Sequence, residues 1–235
     1  MSPSKPRTTE NRLIAALSRK DRQHLLAGCQ EVALTNGDVI CNAGDRIRHA
    51  YFPTRSFISL LTPMDGNAGL EVGQVGNEGM LGISLVLGVG VAAFRATVQG
   101  SGTAWQMNVV PFRRELGYSP GLLRTLNRYI YVLRVQLAQS VACTRFHVVE
   151  ARLARWLLMT QDRAHSDEFH VTHDLLGDML GVRRVGVTKA AGALQVQNII
   201  SYCRGDMIIL DRRKLEAASC GCYRADKTTY DSMLG

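Results

Sequence analysis

THDLLGDMLGVRRVGVTKAAGALQVQ, residues 172–197, holds two helical patterns separated by a single glycine. Leu175, Leu176, Met179 and Leu180 recur at helical spacing and stop at Gly181. A tight turn between two helices needs a residue free to take positive φ, which Gly181 supplies, and Val182 can plug the corner. Val187, Ala190, Ala191 and Leu194 give the second helix an inward face. Arg183, Arg184, Val185, Thr188 and Lys189 are left outward on its N-terminal half, the half that a helix-turn-helix presents to base edges in the major groove. A basic cluster alone would be a solvated face. The helix, glycine turn, helix context points it at duplex DNA.

Downstream, the β-rich runs 199–202 and 207–210 flank Cys203-Arg204-Gly205-Asp206, a hairpin turn with Arg204 near its tip. A wing therefore follows the second helix. Thr172, at the start of the first helix, can cap it and donate to a phosphate through its hydroxyl and the adjacent amides.

Upstream the pattern changes. Thr9 and Ser18 are candidate N-caps of two short helices. Then come short β-type runs: EVALT (31–35), DVIC (38–41), HAYFP (49–53), FISLLT (57–62), LEVGQV (70–75), FRATVQG (94–100) and TAWQMNV (103–109). Asn36-Gly37, Gly44-Asp45, Asp65-Gly66 and Gly76-Asn77 separate several of them as turns. Strands at this spacing predict a barrel or double-sheet roll, and the apolar run 83–94 is read as buried β-structure.

After Pro120, Leu123, Leu126, Ile130, Leu133 and Leu137 follow at intervals of three and four, a heptad seam. It serves either a single amphipathic helix packed on its own domain or a two-stranded coiled coil. A further helix over 148–160 precedes a polar, mobile-looking stretch, 161–168.

The 235 residues suit two modest domains, and the composition, 46% hydrophobic and 20% charged, is that of an ordered globular chain after a polar start over 1–9. No apolar run is long enough to span a bilayer, and the N-terminus lacks a secretory h-region, so a cytoplasmic protein without membrane association is expected. The net charge of +8 suggests an anionic partner, but it does not locate the binding face. Residues 146–235 carry 12 Lys+Arg against 11 Asp+Glu, so most of the excess lies upstream.

The stretch 172–211 resembles the winged DNA-binding domain of the Crp/Fnr family of transcription regulators, and the upstream roll and long helix fall in that family's order. The resemblance implies an α+β chain: an N-terminal helical segment (1–30), a β-roll sensor domain (31–117; a cupin-like double-sheet barrel), a long dimerisation helix (118–145) and a winged helix-turn-helix domain (146–235). It also implies a homodimer on an inverted-repeat operator, RNA polymerase as a further partner and no catalytic activity. By position, Arg184, Val185 and Lys189 fall at the base-contacting places and Thr172 at a phosphate-contacting one. Val185 departs from the acidic residue of the best-known members and cannot accept from cytosine N4.

For the sensor, the stretch comparable with the family's cyclic-nucleotide site is 79–97, with Gly79, Met80, Arg95, Ala96 and Thr97 as candidate pocket residues. Ile83 stands where a ribose-binding Glu belongs and Phe94 where a phosphate-binding Arg belongs, with Arg95 one place later. Strand alternation points neighbours to opposite faces. The effector, a small molecule or a protein, is thus not expected to be a standard cyclic nucleotide unless a shifted loop brings Arg95 in.

No cofactor or metal is implied. The roll holds His49 as its one histidine, which argues against a cupin-type metalloenzyme. Cys220-Gly221-Cys222 is tighter than a zinc knuckle, so the six cysteines are read as buried or idle reduced thiols. The remaining alternative is a protein-interaction module that touches no DNA.

Overall fold

The computed structural model describes residues 10–64 and 67–235. The polar start, the Thr9 cap and the Asp65-Gly66 turn lie outside the described residues. The opening helices are α1 (Arg12–Ala15) and α2 (Arg19–Ala27). Ser18 caps α2 as expected, while Asn11 caps α1. The Asn11 side chain is fully buried and also donates to the Pro53 and Gly79 carbonyls at 3.0 and 2.8 Å, pinning α1 to the roll.

Each of the seven short β-runs between residues 31 and 109 is a strand: β1 (Gln30–Leu34), β2 (Val39–Cys41), β3 (His49–Pro53), β4 (Phe57–Met64), β5 (Asn67–Val75), β6 (Arg95–Gly100) and β7 (Gly102–Asn108). They form two antiparallel sheets, ordered β1-β7-β3 and β2-β6-β4-β5, a two-sheet roll that does not close into one barrel. Leu34, Ile58, Val75, Ala96, Val98 and Ala104 pack together as one core of the roll. The run 83–94 is not β-structure. It opens with a 3₁₀ turn, Ile83–Leu87, between Gly82 and Gly88, and continues as surface loop in which Leu87, Val89 and Val91 are exposed. A glycine-broken segment cannot sustain a ladder, and its pairing with the roll is the isolated bridge of Arg46 with Val91 and the backbone hydrogen bonds around it, among them Ile47 to Gly90 and Ala92 to Asp45.

Two helices follow, α3 (Val109–Tyr118) and α4 (Pro120–Phe146). Ser119 accepts from the Leu122 amide at 3.0 Å and Pro120 occupies the first turn, where its missing N–H costs nothing. At 1.5 Å per residue the 27 residues of α4 extend about 40 Å. The predicted seam divides. Leu126 is fully buried, and Leu133 packs on the same core beside Leu122, Tyr129 and Val132, so these residues hold α4 to its own domain. Leu123 and Leu137 are exposed and Ile130 is partly so, forming a row seven residues apart. An a/d pattern reports two adjacent helix edges, and here the d edge is used within the chain.

The remainder is α5 (Val149–Ala164), β8 (Glu168–His170), α6 (His173–Leu180), α7 (Arg184–Val196), β9 (Ile200–Cys203), β10 (Asp206–Ile209), α8 (Arg212–Ala218) and α9 (Cys222–Leu234). The stretch 161–168 is not a mobile linker. Gln161 and Arg163 are buried in the last turn of α5, and β8 joins the wing, whose order is β8-β10-β9.

Two contacts between the halves were not legible in the sequence. The β4–β5 hairpin leans on the C-terminal domain: Trp156 Nε1 donates to Glu71 at 2.7 Å, Gln74 Nε2 to Thr160 at 3.2 Å, and Arg163 pairs with Glu78 at 2.8 Å. In return, α9 runs back along α4, burying Tyr230 in the N-terminal core with its hydroxyl donating to the Glu78 carbonyl at 2.8 Å.

Candidate nucleic-acid interface

The helix-turn-helix is built as its apolar spacing requires. Thr172 caps α6, accepting from the Leu175 amide at 3.2 Å, and Gly181 ends it at φ 61°, after which Val182 packs on the core. Val187, Ala190, Ala191 and Leu194 of α7 are buried against that core. Arg183, Arg184, Val185, Thr188 and Lys189 are all exposed on the N-terminal half of α7, and Val185 is 65% accessible. Arg204 lies at the tip of the β9–β10 hairpin, where it and Gly205 take φ of 51° and 96°, the paired positive values that suit a two-residue hairpin turn.

The side chains on this face are already oriented. Arg184 Nη1 sits 3.5 Å from Asp174 Oδ2, with both side chains two-thirds accessible. The exposed pair is worth little to stability and can be exchanged for another acceptor. The Thr188 hydroxyl lies 3.1 Å from the Arg184 carbonyl and 3.1 Å from His173 Nδ1, so it is less free than a surface threonine. His173 stacks on Tyr202 at 4.5 Å between centroids, and Tyr202 donates to the Val171 carbonyl at 3.0 Å. Burial, then Arg184, lowers the His173 pKa, so the ring is held toward its neutral form. This stack ties the first helix to the wing.

The spacing rules missed Asp174, whose contact joins the two helices across the turn, and His173 and Tyr202, whose stack forms only once the wing folds back. They also missed Gly177. A Cβ there would stand 2.9 Å from the Val182 carbonyl oxygen, so the elbow closes only because the position is bare. The available signal was a glycine in a helix interior, where it costs about 1 kcal/mol relative to alanine.

Residues 151–218 match the family model of the Crp-like helix-turn-helix domain. This segment is similar to a Crp-like domain. The chain as a whole has the fold of Crp/Fnr regulators. FixK2 from Bradyrhizobium japonicum superposes with a TM-score of 0.68 at 13% identity over 82% of this chain and 98% of its own. A transcriptional regulator of the CRP/FNR family from Thermus thermophilus gives 0.66 at 21% identity over 81% and 98%. The c-di-GMP-responsive global regulator CLP of Xanthomonas campestris gives 0.67 at 13% over 83% and 100%. No curated protein sequence matches the chain.

In the N-terminal half, the candidate pocket residues disperse. A cavity of about 660 Å³ opens between the roll and the helices, lined in part by Met80, Ile83, Phe94, Leu133, Leu137 and Met159. Of the five candidates only Met80 lines it. Gly79 packs under Tyr129, Ala96 is buried in the roll core, Thr97 is half-buried away from the lining, and Arg95 is exposed. Phe94 lines the cavity and its neighbour Arg95 does not, as alternation requires.

Proposed function

We propose that this chain is a sequence-specific DNA-binding transcription regulator that acts as a homodimer on an inverted repeat. The reading is carried by one observation: a Crp-like domain presents Arg183, Arg184, Val185, Thr188 and Lys189 together on the exposed first half of α7, with Arg204 on the adjacent wing. Arg184 reads guanine through O6 and N7, Val185 packs on a thymine methyl, Lys189 reaches a further base edge, and Thr172, Arg183 and Arg204 hold phosphates. Thr188 supports Arg184 through its backbone.

The exposed row Leu123, Ile130 and Leu137, continued by Val141, supplies the helix edge that a second α4 would cover. The cavity has Ile83 and Phe94 in its wall and not Arg95, so it lacks the Glu and Arg that the resemblance assigns to a cyclic-nucleotide site; with Arg46, Arg48 and Arg163 also lining it, it suits a ligand with an apolar body and an anionic group. Its walls include Leu133 and Leu137 of α4 and Met159 of α5, so a bound ligand would press on both helices that lead to the DNA-binding face. A metalloenzyme reading has no support in this cavity, where His49 is the one histidine among the lining residues. Among the described residues, no helix is long and apolar enough to cross a membrane.

The test is selection of bound duplexes from a random pool, followed by a salt titration on the winner. An inverted repeat with half-sites about 34 Å apart is expected, with affinity falling steeply as salt rises. Enrichment of isolated half-sites, or binding indifferent to salt, would refute the reading.

A further inference from the structure

The second group of chemically capable side chains lies at the other end of the C-terminal half and plays no part in the DNA-facing surface. Cys143 in the last turn of α4 and His147 at its C-cap are four residues apart, the spacing that places two side chains on one helix face. Cys220 and Cys222 flank Gly221 in the link between α8 and α9. The fold brings the two pairs together from opposite ends of the C-terminal domain, and the four ligand atoms all lie within 4.8 Å of one another. Among the described residues this is the only group of three or more His, Cys or acidic side chains so placed.

We propose that Cys143, His147, Cys220 and Cys222 form a tetrahedral zinc site that clasps the hinge between α4 and α5. Zinc–sulfur bonds of about 2.3 Å and zinc–nitrogen bonds of about 2.0–2.1 Å give a tetrahedron with edges of roughly 3.8 Å between sulfurs and roughly 3.5 Å between sulfur and nitrogen. Cys143 Sγ and Cys220 Sγ stand 3.5 Å apart, and so do Cys222 Sγ and His147 Nδ1. Four donors gathered this closely surround one ion and leave no room for a multinuclear cluster. A disulfide between Cys143 and Cys220 would account for two of the groups and leave the third thiol and the imidazole unexplained.

The surroundings suit the ion. The three cysteines are buried and His147 is exposed, which gives an entry side. Gln139 Nε2 lies 2.9 Å from Cys222 Sγ, the kind of outer hydrogen bond that orients a coordinating thiolate. Three thiolates around a divalent cation leave one negative charge. Arg155, largely buried and paired with Asp226 at 2.6 Å, lies within electrostatic reach of Cys143 and Cys220 on the inner side of the site. Binding releases the thiol protons to solvent as the sulfur–metal bonds form. With four protein ligands and no open position, the site is structural rather than catalytic. It ties α9, which packs along α4, to the point where the long helix hands over to α5.

The experiment uses the full-length reduced protein, stripped of metal with a chelator and titrated with zinc and, separately, with cobalt. One ion per chain is expected, with near-ultraviolet thiolate-to-cobalt charge transfer and the intense visible bands of tetrahedral cobalt, both bleached by zinc. Zinc should shield Cys143, Cys220 and Cys222 from alkylation and leave exposed Cys203 reactive. Cys143→Ser and Cys222→Ser should abolish the spectrum. His147→Ala alters an exposed residue and so tests the site without threatening the core; it should weaken zinc binding by roughly tenfold or more. Cys203→Ser should change nothing. Absence of stoichiometric metal, a cobalt spectrum without thiolate bands, unchanged affinity in His147→Ala, or an unreduced mass lighter by two hydrogens with Cys143 linked to Cys220 would each overturn the proposal.

Discussion

Replacing Glu71 by Gln tests whether the β4–β5 hairpin is docked on the C-terminal domain through one enclosed carboxyl. Glu71 accepts from Ser59 Oγ at 2.5 Å, Trp156 Nε1 at 2.7 Å and Gln74 Nε2 at 3.1 Å. These bonds favour the carboxylate, yet burial outweighs them and pushes the group up to about 7 from its ordinary 4.5. A carboxyl raised on folding binds more protons in the folded state, so its contribution is fully favourable below about pH 4.5 and is lost as pH rises toward 7. At about 1.4 kcal/mol per pKa unit, the loss amounts to roughly 3 kcal/mol above pH 7. Glutamine keeps the shape, can accept from Trp156 and Gln74 through its oxygen, and can donate to Ser59 through its nitrogen. Glu71→Gln should therefore match the parent near pH 4.5 and be more stable by about 2–3 kcal/mol at pH 8 in urea unfolding followed by tryptophan fluorescence. Parallel stability curves for the two proteins between pH 5 and 8, or a less stable variant at pH 8, would refute a buried, proton-holding Glu71 at this contact.

Arg184→Ala should leave folding stability within about 0.5 kcal/mol, because its pair with Asp174 is exposed, while weakening operator binding by about 1–3 kcal/mol and relaxing preference at one base pair per half-site. Equal weakening across all sequences in a competition assay would assign Arg184 to phosphate instead. Gly177→Ala places a methyl 2.9 Å from the Val182 carbonyl oxygen, and should cost about 1–3 kcal/mol in thermal unfolding together with DNA binding; an unaltered melting curve would show that the elbow can open freely. Leu126→Ala should cost about 2–5 kcal/mol of stability as a core truncation, whereas exposed Leu137→Glu should spare the fold and dissociate the proposed dimer in sedimentation measurements. A monodisperse dimer in Leu137→Glu would remove that edge of α4 from the interface.

The roll strands, the helix-turn-helix and the wing hairpin were legible because each is announced by local periodicity and turn residues. The segment 83–94 misled because its β-branched and apolar content outweighed the glycines that break it, whereas Gly82 and Gly88 at positive φ bound a 3₁₀ turn instead. The heptad row misled in a different way. Spacing specifies which edge of α4 is apolar, but Leu126 is claimed by the core that includes α1, α2 and α9, and nothing local to α4 reveals those neighbours. His147 is four residues from Cys143, a spacing visible in the sequence, but its partners Cys220 and Cys222 lie more than seventy residues away. Judged alone, Cys220-Gly221-Cys222 is too tight for a zinc knuckle. Joined to a helical pair, it supplies the other half of the ligand set.

Under the proposed function, the positions of these groups offer a short route by which a change in the roll would reach the DNA-facing helix. The cavity wall contains Leu133 and Leu137 from α4 and Met159 from α5, so an occupant bears on both sides of the hinge at once. The β4–β5 hairpin touches the same domain from the other side, through Glu71 on Trp156 and through Leu70, whose Cδ1 stands 3.1 Å from where a Gly181 side chain would begin, at the elbow of the helix-turn-helix. α9 closes the circuit by joining α4 to the N-terminal core through Tyr230 and to α5 through Arg155 and Asp226, paired at 2.6 Å. Motion of α6 and α7 relative to the roll must therefore stretch or release three ties: the hairpin contact, the Arg163–Glu78 pair and the α9 strap. Loosening the hairpin tie alone, as by Gln74→Ala, should shift operator affinity without touching any DNA-facing residue, and an affinity unchanged within error in a binding titration would mean that this contact holds the domains but does not set their angle.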